Sequence, residues 1–160
     1  MLRYTKKGIE SKERIGTLPL RMSNLLRYRG VNTPEEAERF LHPRLTDLLD
    51  PSTMPGMEKA VSIIRQAVRE QWGITIYGDY DVDGICATSI MLETLRDLGA
   101  QHVRPYIPSR HEEGYGLNAD AMELLAKESR LLLTVDCGIT NLDEVALAKK
   151  RGMTVIVTDH

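Results

Sequence analysis

From Ile74 onward the chain alternates short aliphatic runs with amphipathic ones, and this alternation restricts the fold more than any other feature of the sequence. Ile74-Thr75-Ile76-Tyr77, His102 to Ile107, Leu131-Leu132-Leu133-Thr134-Val135 and Thr154-Val155-Ile156-Val157-Thr158 read as strands. Helices are expected over Ile85 to Leu98, closed by Gly99, over Asn118 to Lys127, and over Leu142 to Lys150. A further helix begins at Met57, where Ala60, Ile63, Ile64, Ala67 and Val68 recur at helical spacing. Strands joined through helices by short connections pack as a parallel sheet with helices on both faces, so the expected fold class is α/β. The near-continuous hydrophobicity of 131–135 suits a strand buried on both faces.

Residues 1–55 read as an irregular, partly helical lead-in to this domain, which occupies 56–160. Thr33-Pro34-Glu35-Glu36 carries a helix start: threonine caps, proline suits the first helical position and Glu36 completes a capping box. That helix runs to about Leu41, because Pro43 discourages its continuation, and Pro51, Pro55 and Gly56 mark a linker.

Composition bounds the function. A net charge of −2 over 160 residues does not announce a nucleic-acid binder, so any grip on DNA has to use local basic residues, a metal or parts of a longer chain. Cys86 and Cys137 stand in no metal-ligand spacing, which fits a reducing, cytoplasmic setting and argues against a disulfide scaffold. The opening Met1 to Lys7 is not followed by the apolar run of a signal peptide, and no stretch approaches the roughly 20 apolar residues that span a bilayer.

In parallel sheets, ligands bind outside the carboxyl ends of the strands. Three of the four expected strand ends deliver carboxylates: Asp79-Tyr80-Asp81-Val82-Asp83-Gly84, Asp136-Cys137-Gly138 and Asp159-His160. One Asp at a strand end is most often a cap or a turn former. Three ends in agreement point to a shared divalent cation, because crowded carboxylates repel and a cation removes that penalty. Mixed Asp and His ligation suits manganese well, and magnesium or iron less distinctively. In an extended segment residues two apart face the same way, so Asp79, Asp81 and Asp83 converge before a helix that begins at Gly84, a residue that also lets a ligand approach the backbone. An EF-hand loop opens with the same Asp-x-Asp-x-Asp-Gly pattern, but its closing Glu would fall on Ile90 and a strand precedes Asp79.

At these residues the chain resembles the DHH phosphoesterase family in its RecJ form. Tyr77 to Gly84 is similar to the family's first motif, Val135-Asp136-Cys137-Gly138 to its second, and Asp159-His160 to the first two letters of the Asp-His-His motif. Ile107-Pro108-Ser109-Arg110 leading into Glu113-Gly114-Tyr115-Gly116-Leu117-Asn118 is RecJ-like, as is Phe40-Leu41-His42-Pro43 through Asp50-Pro51 to Met57. The second His of the third motif, a later acidic ligand and a second domain do not appear. The chain is therefore expected to be part of a longer protein and, on its own, inactive or weak.

The resemblance implies a two-metal phosphodiesterase that releases mononucleotides from the 5′ end of single-stranded DNA in repair and recombination. Asp79, Asp81, Asp83, Asp136, Asp159 and His160 become the catalytic and metal-holding candidates, with Mn2+ or Mg2+ as cofactor. Arg110, Tyr115 and Asn118 are substrate-binding candidates: Arg to grip phosphate, Tyr to stack on a base. For these three the competing expectation is a solvated loop with Asn118 capping the next helix. Two other readings share the motifs: a family member acting on short oligonucleotides or cyclic dinucleotides, and a non-catalytic scaffold, which the intact carboxylates disfavour. Cys86, Cys137 and Trp72 are expected to be packing residues. His42, His102 and His111 are expected to be structural, and Lys149-Lys150-Arg151 answers a helix dipole.

Overall fold

The computed structural model describes residues 11–110 and 114–159. The chain divides into two compact units, Met1–Met54 and Pro55–His160. In the first, α1 (Leu20–Tyr28) and α2 (Pro34–Leu41) are followed by single 3-10 turns at Leu45–Asp47 and Pro51–Thr53. Ile15, Leu26 and Ala37 form its small core. The capping box at α2 is present: Thr33 accepts the Glu36 N–H, and Glu36 accepts the Thr33 N–H. Helix α1 has no such signal, since Pro19 stands at its N-cap without a side-chain bond, and the sequence did not announce it.

The second unit carries α3 (Met57–Arg69), β1 (Ile74–Gly78), α4 (Val82–Asp97), β2 (Val103–Tyr106), α5 (Ala119–Leu125), β3 (Leu131–Val135), α6 (Leu142–Lys150) and β4 (Thr154–Thr158). The strands form an all-parallel sheet in the order β2-β1-β3-β4. Ile74, Ile76, Leu131, Leu133, Val135 and Ile156 face α3 and α4 on one side. Tyr77 and Leu132 face Ala121, Met122 and Leu125 of α5 and Ala148 of α6 on the other. Connections running in opposite directions across the sheet thus place their helices on opposite faces, as a constant crossover hand requires. Every residue of β1 and β3 is buried, which explains their unbroken hydrophobicity.

Several expectations are corrected. Helix α4 starts at Val82, three residues earlier than its apolar run suggests, so Asp83 lies in its first turn rather than in an extended segment. Cys86 is exposed, whereas Cys137 is buried. Trp72 is a packing aromatic as expected, 8% exposed, with its Nε1–H donated to Glu70 at 2.9 Å and the Arg130 guanidinium 3.7 Å from its ring centre. Arg151 does more than answer the α6 dipole: it makes two bonds, 2.7 and 2.6 Å, to Glu123 of α5. His42 pairs with Glu38 at 3.2 Å, His102 is exposed, and His111 lies outside the described residues. Among the described residues no helix is long and apolar enough to cross a membrane.

Candidate metal centre

Two glycines let the end of β1 and the start of α4 touch. A Cβ on Gly84 would lie 2.5 Å from the Asp79 carbonyl oxygen and 2.6 Å from its nitrogen, so the helix's first turn rests directly on Asp79. The space that glycine was expected to open to a ligand is filled by the chain's own backbone. At Gly78 a Cβ would lie 2.0 Å from the Thr88 hydroxyl of α4. This contact buries Asp79 to 5% exposure. Asp81 is the N-cap of α4: its Oδ1 accepts the Gly84 N–H at 3.0 Å, and the positive end of the helix dipole favours its charge.

Asp136 arrives from the neighbouring strand. It follows β3 with φ +62°, a left-handed conformation, while its N–H donates to the Thr158 carbonyl at 3.0 Å and extends the β3–β4 ladder by one bond. Oxygen atoms of Asp79, Asp81 and Asp136 all lie within 4.8 Å of one another. The chain leaves β1 toward β2 on one side, and leaves β3 toward β4 on the other. The cluster therefore stands at the carboxyl ends of the two strands between which strand order reverses.

Asp83 and Asp159 stand beside this group, not in it. They line a cleft of about 560 Å³ with Asp136, Ala87, Ile90, Met91, Val135 and Thr158. Asp159 also accepts the Ile139 N–H at 2.9 Å, tying β4 to the turn after Asp136. His160 lies outside the described residues. A second cavity, about 470 Å³ and lined by Gly73, His102, Arg104 and Ser129, sits at the opposite, amino-terminal end of the strands and holds none of these carboxylates.

The donor set fits a hard divalent cation. Asp79 accepts one backbone bond, from the Tyr80 N–H at 2.7 Å, and among the described residues no Lys or Arg pairs with Asp79 or Asp81. Two carboxylates 4.8 Å apart repel by about 3 kcal/mol at an effective dielectric constant of 20. Convergent carboxylate oxygens are what manganese or magnesium takes.

Burial, followed by the charges of Asp159, Asp79 and Asp136, pushes the Cys137 thiol up to about 12. Cys137 is therefore a neutral packing group that points its Sγ at the Tyr77 carbonyl, 3.7 Å away. The Tyr115 phenol is also raised. Desolvation of the hydroxyl acts first, although the residue as a whole is 61% exposed, and the charges of Asp79, Asp159 and Asp136 follow. Tyr115 thus sits within electrostatic reach of the carboxylates.

Arg110 and Tyr115 are joined through a residue the sequence reading passed over. The Arg110 guanidinium stands 5.4 Å from the Tyr80 ring centre, and the Tyr80 and Tyr115 rings meet edge-on at 6.4 Å and 81°. The available signal was position, since Tyr80 is the aromatic between Asp79 and Asp81. Asn118 caps α5, with its Oδ1 accepting the Ala121 N–H at 2.8 Å, and its Nδ2 donates to the Tyr77 hydroxyl at 3.4 Å.

Residues 73–160 match the model of the DHH family, N-terminal domain. The single-stranded-DNA-specific exonuclease RecJ of Bacillus subtilis (strain 168) is 46% identical over 149 residues, 92% of this chain and 19% of that protein. RecJ of Thermus thermophilus is 41% identical over 133 residues, 79% of this chain and 20% of that protein. The chain thus spans about a fifth of the length of these curated relatives. Among solved structures, exonuclease RecJ bound to manganese superposes with a TM-score of 0.66 at 42% identity, covering 71% of this chain and 29% of that one. RecJ from Thermus thermophilus in complex with Mn2+ gives 0.62 at 35%, covering 84% and 18%.

Proposed function

The chain belongs to the DHH family, and from that premise we propose that it supplies metal-holding residues of an exonuclease that removes mononucleotides from the 5′ end of single-stranded DNA, in cytoplasmic repair and recombination. The observation that carries this reading is the convergence of Asp79, Asp81 and Asp136 within 4.8 Å at the reversal of strand order. The manganese in two solved relatives and the single-strand specificity in the names of the curated ones support it.

In this reading Asp81 and Asp136 are direct ligands. Each is held by main-chain geometry, one at a helix cap and one in a left-handed turn. Asp79, buried against Gly84, binds the ion or orients a water on it. Asp83, Asp159 and His160 complete the set for a second ion. Bound manganese lowers the pKa of a coordinated water and offsets the charge of the scissile phosphate. The chain's own groups do the rest. Arg110 takes a phosphate oxygen, the exposed Tyr115 ring stacks on a base, and Asn118 lends a polar contact beside them.

The test is digestion of single-stranded DNA labelled at either end, with manganese, in the full protein and in Asp81→Ala. Product accumulating from the 5′ end and absent in Asp81→Ala is expected. Preferred cleavage of cyclic dinucleotides or di- and trinucleotides would move the reading to another activity of the family.

A further inference from the structure

Two side chains beside the metal centre forgo the role their position suggests. Asn141 stands at the N-cap of α6, where an asparagine side chain usually accepts a backbone N–H from the first turn of its own helix. It makes no such bond. Instead its Oδ1 accepts the Leu117 N–H at 3.3 Å, and its Nδ2 donates to the Leu117 carbonyl at 3.3 Å and to Glu144 at 3.4 Å. Tyr77 lies fully buried in β1, next to Ile74 and Ile76, where an aliphatic residue would suit the sheet. Its hydroxyl donates to the Gly116 carbonyl at 2.9 Å and accepts from Asn118 at 3.4 Å, and its ring stacks on Tyr106 at 5.0 Å. Gly116 has φ +80°, and a Cβ there would lie 2.7 Å from the Asn141 Oδ1, so only glycine lets the turn close this tightly.

Three consecutive residues of the β2–α5 connection, 116–118, are thereby tied to β1 and to the β3–α6 connection. Gly116 and Leu117 are buried, so the ties satisfy backbone groups that water does not reach, and in doing so they fix the chain on which the exposed residue before them is carried. Places where local rules are broken in concert are where function is expected. The residue just before the clamp is Tyr115, exposed and set edge-on to Tyr80.

We propose that Tyr77 and Asn141 are positioning residues for the substrate, which clamp residues 116–118 so that the Tyr115 ring is presented to a nucleobase beside the carboxylates. This rests on the nuclease reading given above. The hydrogen bonds of the clamp described above run to residues 116–118. The clamp acts by removing the entropy that a free loop would lose on binding a base, so its effect falls on substrate affinity.

The experiment measures KM and kcat on a thymidine oligonucleotide, and manganese affinity by calorimetry, for the full protein and for Tyr77→Phe, Asn141→Ala, Tyr115→Ala and the double variant Tyr77→Phe/Tyr115→Ala. Tyr115→Ala is expected to raise KM tenfold or more. Tyr77→Phe and Asn141→Ala each raise it about three- to tenfold, the scale of one lost hydrogen bond, with kcat and manganese affinity within about twofold. The double variant is no worse than Tyr115→Ala alone, because the clamp acts through that ring. If Tyr115→Ala raises KM but neither clamp variant does, the inference is wrong and the substrate reading stands. If Tyr115→Ala leaves KM unchanged, the stacking role fails and takes the clamp with it. A loss of kcat and manganese affinity at constant KM would mean the two residues merely support the fold. Should Tyr77→Phe not fold, the half-buried Asn141 carries the test.

Discussion

Asp136 sits at φ +62°, a conformation that costs an ordinary L-residue about 1–2 kcal/mol and that Asp and Asn adopt most readily among side-chain-bearing residues. Charge and backbone can therefore be separated. Without metal, Asp136→Asn is expected to melt at or above the parent temperature, because it keeps the left-handed turn and sheds a repelling charge, yet to lose at least about tenfold in manganese affinity, the loss seen when a supporting metal-site group is removed. Asp136→Ala is expected to lose the affinity as well and to be about 1 kcal/mol less stable than Asp136→Asn. Calorimetric titration with thermal melts of the two variants decides it, and unchanged affinity in Asp136→Asn would remove this residue from the ligand set. The neighbouring Cys137 gives a second expectation. Its thiol is buried and pushed up to about 12, while Cys86 is exposed on α4. At pH 8 an alkylating reagent should modify Cys86 rapidly and Cys137 only after unfolding, as read by mass spectrometry of peptides. The aspartates were legible in the sequence because a carboxylate just past an aliphatic run has a fixed address in a parallel sheet. Tyr80 was not. Its significance depends on Arg110 and Tyr115 meeting it from a loop some 30 residues away in sequence, which no local pattern encodes.

Among the elements, α4 is where sequence and structure part company. The apolar run from Ile85 set the expected start, but the helix begins at Val82 because Asp81 caps it. One residue serves as helix cap and candidate ligand, and the reading that made it a ligand hid the cap. The two roles come apart on substitution. Asn caps a helix about as well as Asp does, whereas Ala costs about 1 kcal/mol. Without metal, Asp81→Asn should therefore be at least as stable as the parent protein, since it keeps the cap and sheds a repelling charge, while losing manganese affinity; Asp81→Ala should lose the affinity too and be about 1 kcal/mol less stable than Asp81→Asn. Urea denaturation alongside metal titration distinguishes them, and equal destabilisation by the two variants would show that the charge, not the cap bond, holds the helix end. The strands offered less room for error. Leu131–Val135 and Thr154–Thr158 lie where their β-branched and aliphatic runs begin and end; in the first, burial on both faces leaves no polar position at which a boundary could shift, whereas the second is the partly exposed edge of the sheet.

At the scale of the molecule, the sequence specified a parallel sheet but not the order of its strands. Runs as uniformly aliphatic as 131–135 do not name their neighbours, and only the fold puts β1 beside β3 and so Asp79 and Asp81 beside Asp136. That adjacency brings carboxylates 57 residues apart in sequence (136 minus 79) into mutual repulsion whenever the second unit is folded without a cation. In the unfolded chain the same groups separate and the repulsion disappears. Manganese bound by the folded arrangement therefore adds its whole binding free energy to folding, RT ln(1 + [L]/Kd), about 2.7 kcal/mol at a hundred times Kd. The expected outcome is a melting temperature that climbs with the logarithm of manganese concentration above Kd and returns to its starting value with a chelator. The slope should vanish in Asp136→Asn. Sodium chloride at matched ionic strength is the control, since screening also weakens repulsion between exposed carboxylates but saturates without a defined Kd. If salt alone reproduced the rise, the carboxylates would be a charged edge of the sheet, and the convergence of Asp79, Asp81 and Asp136 would carry no metal.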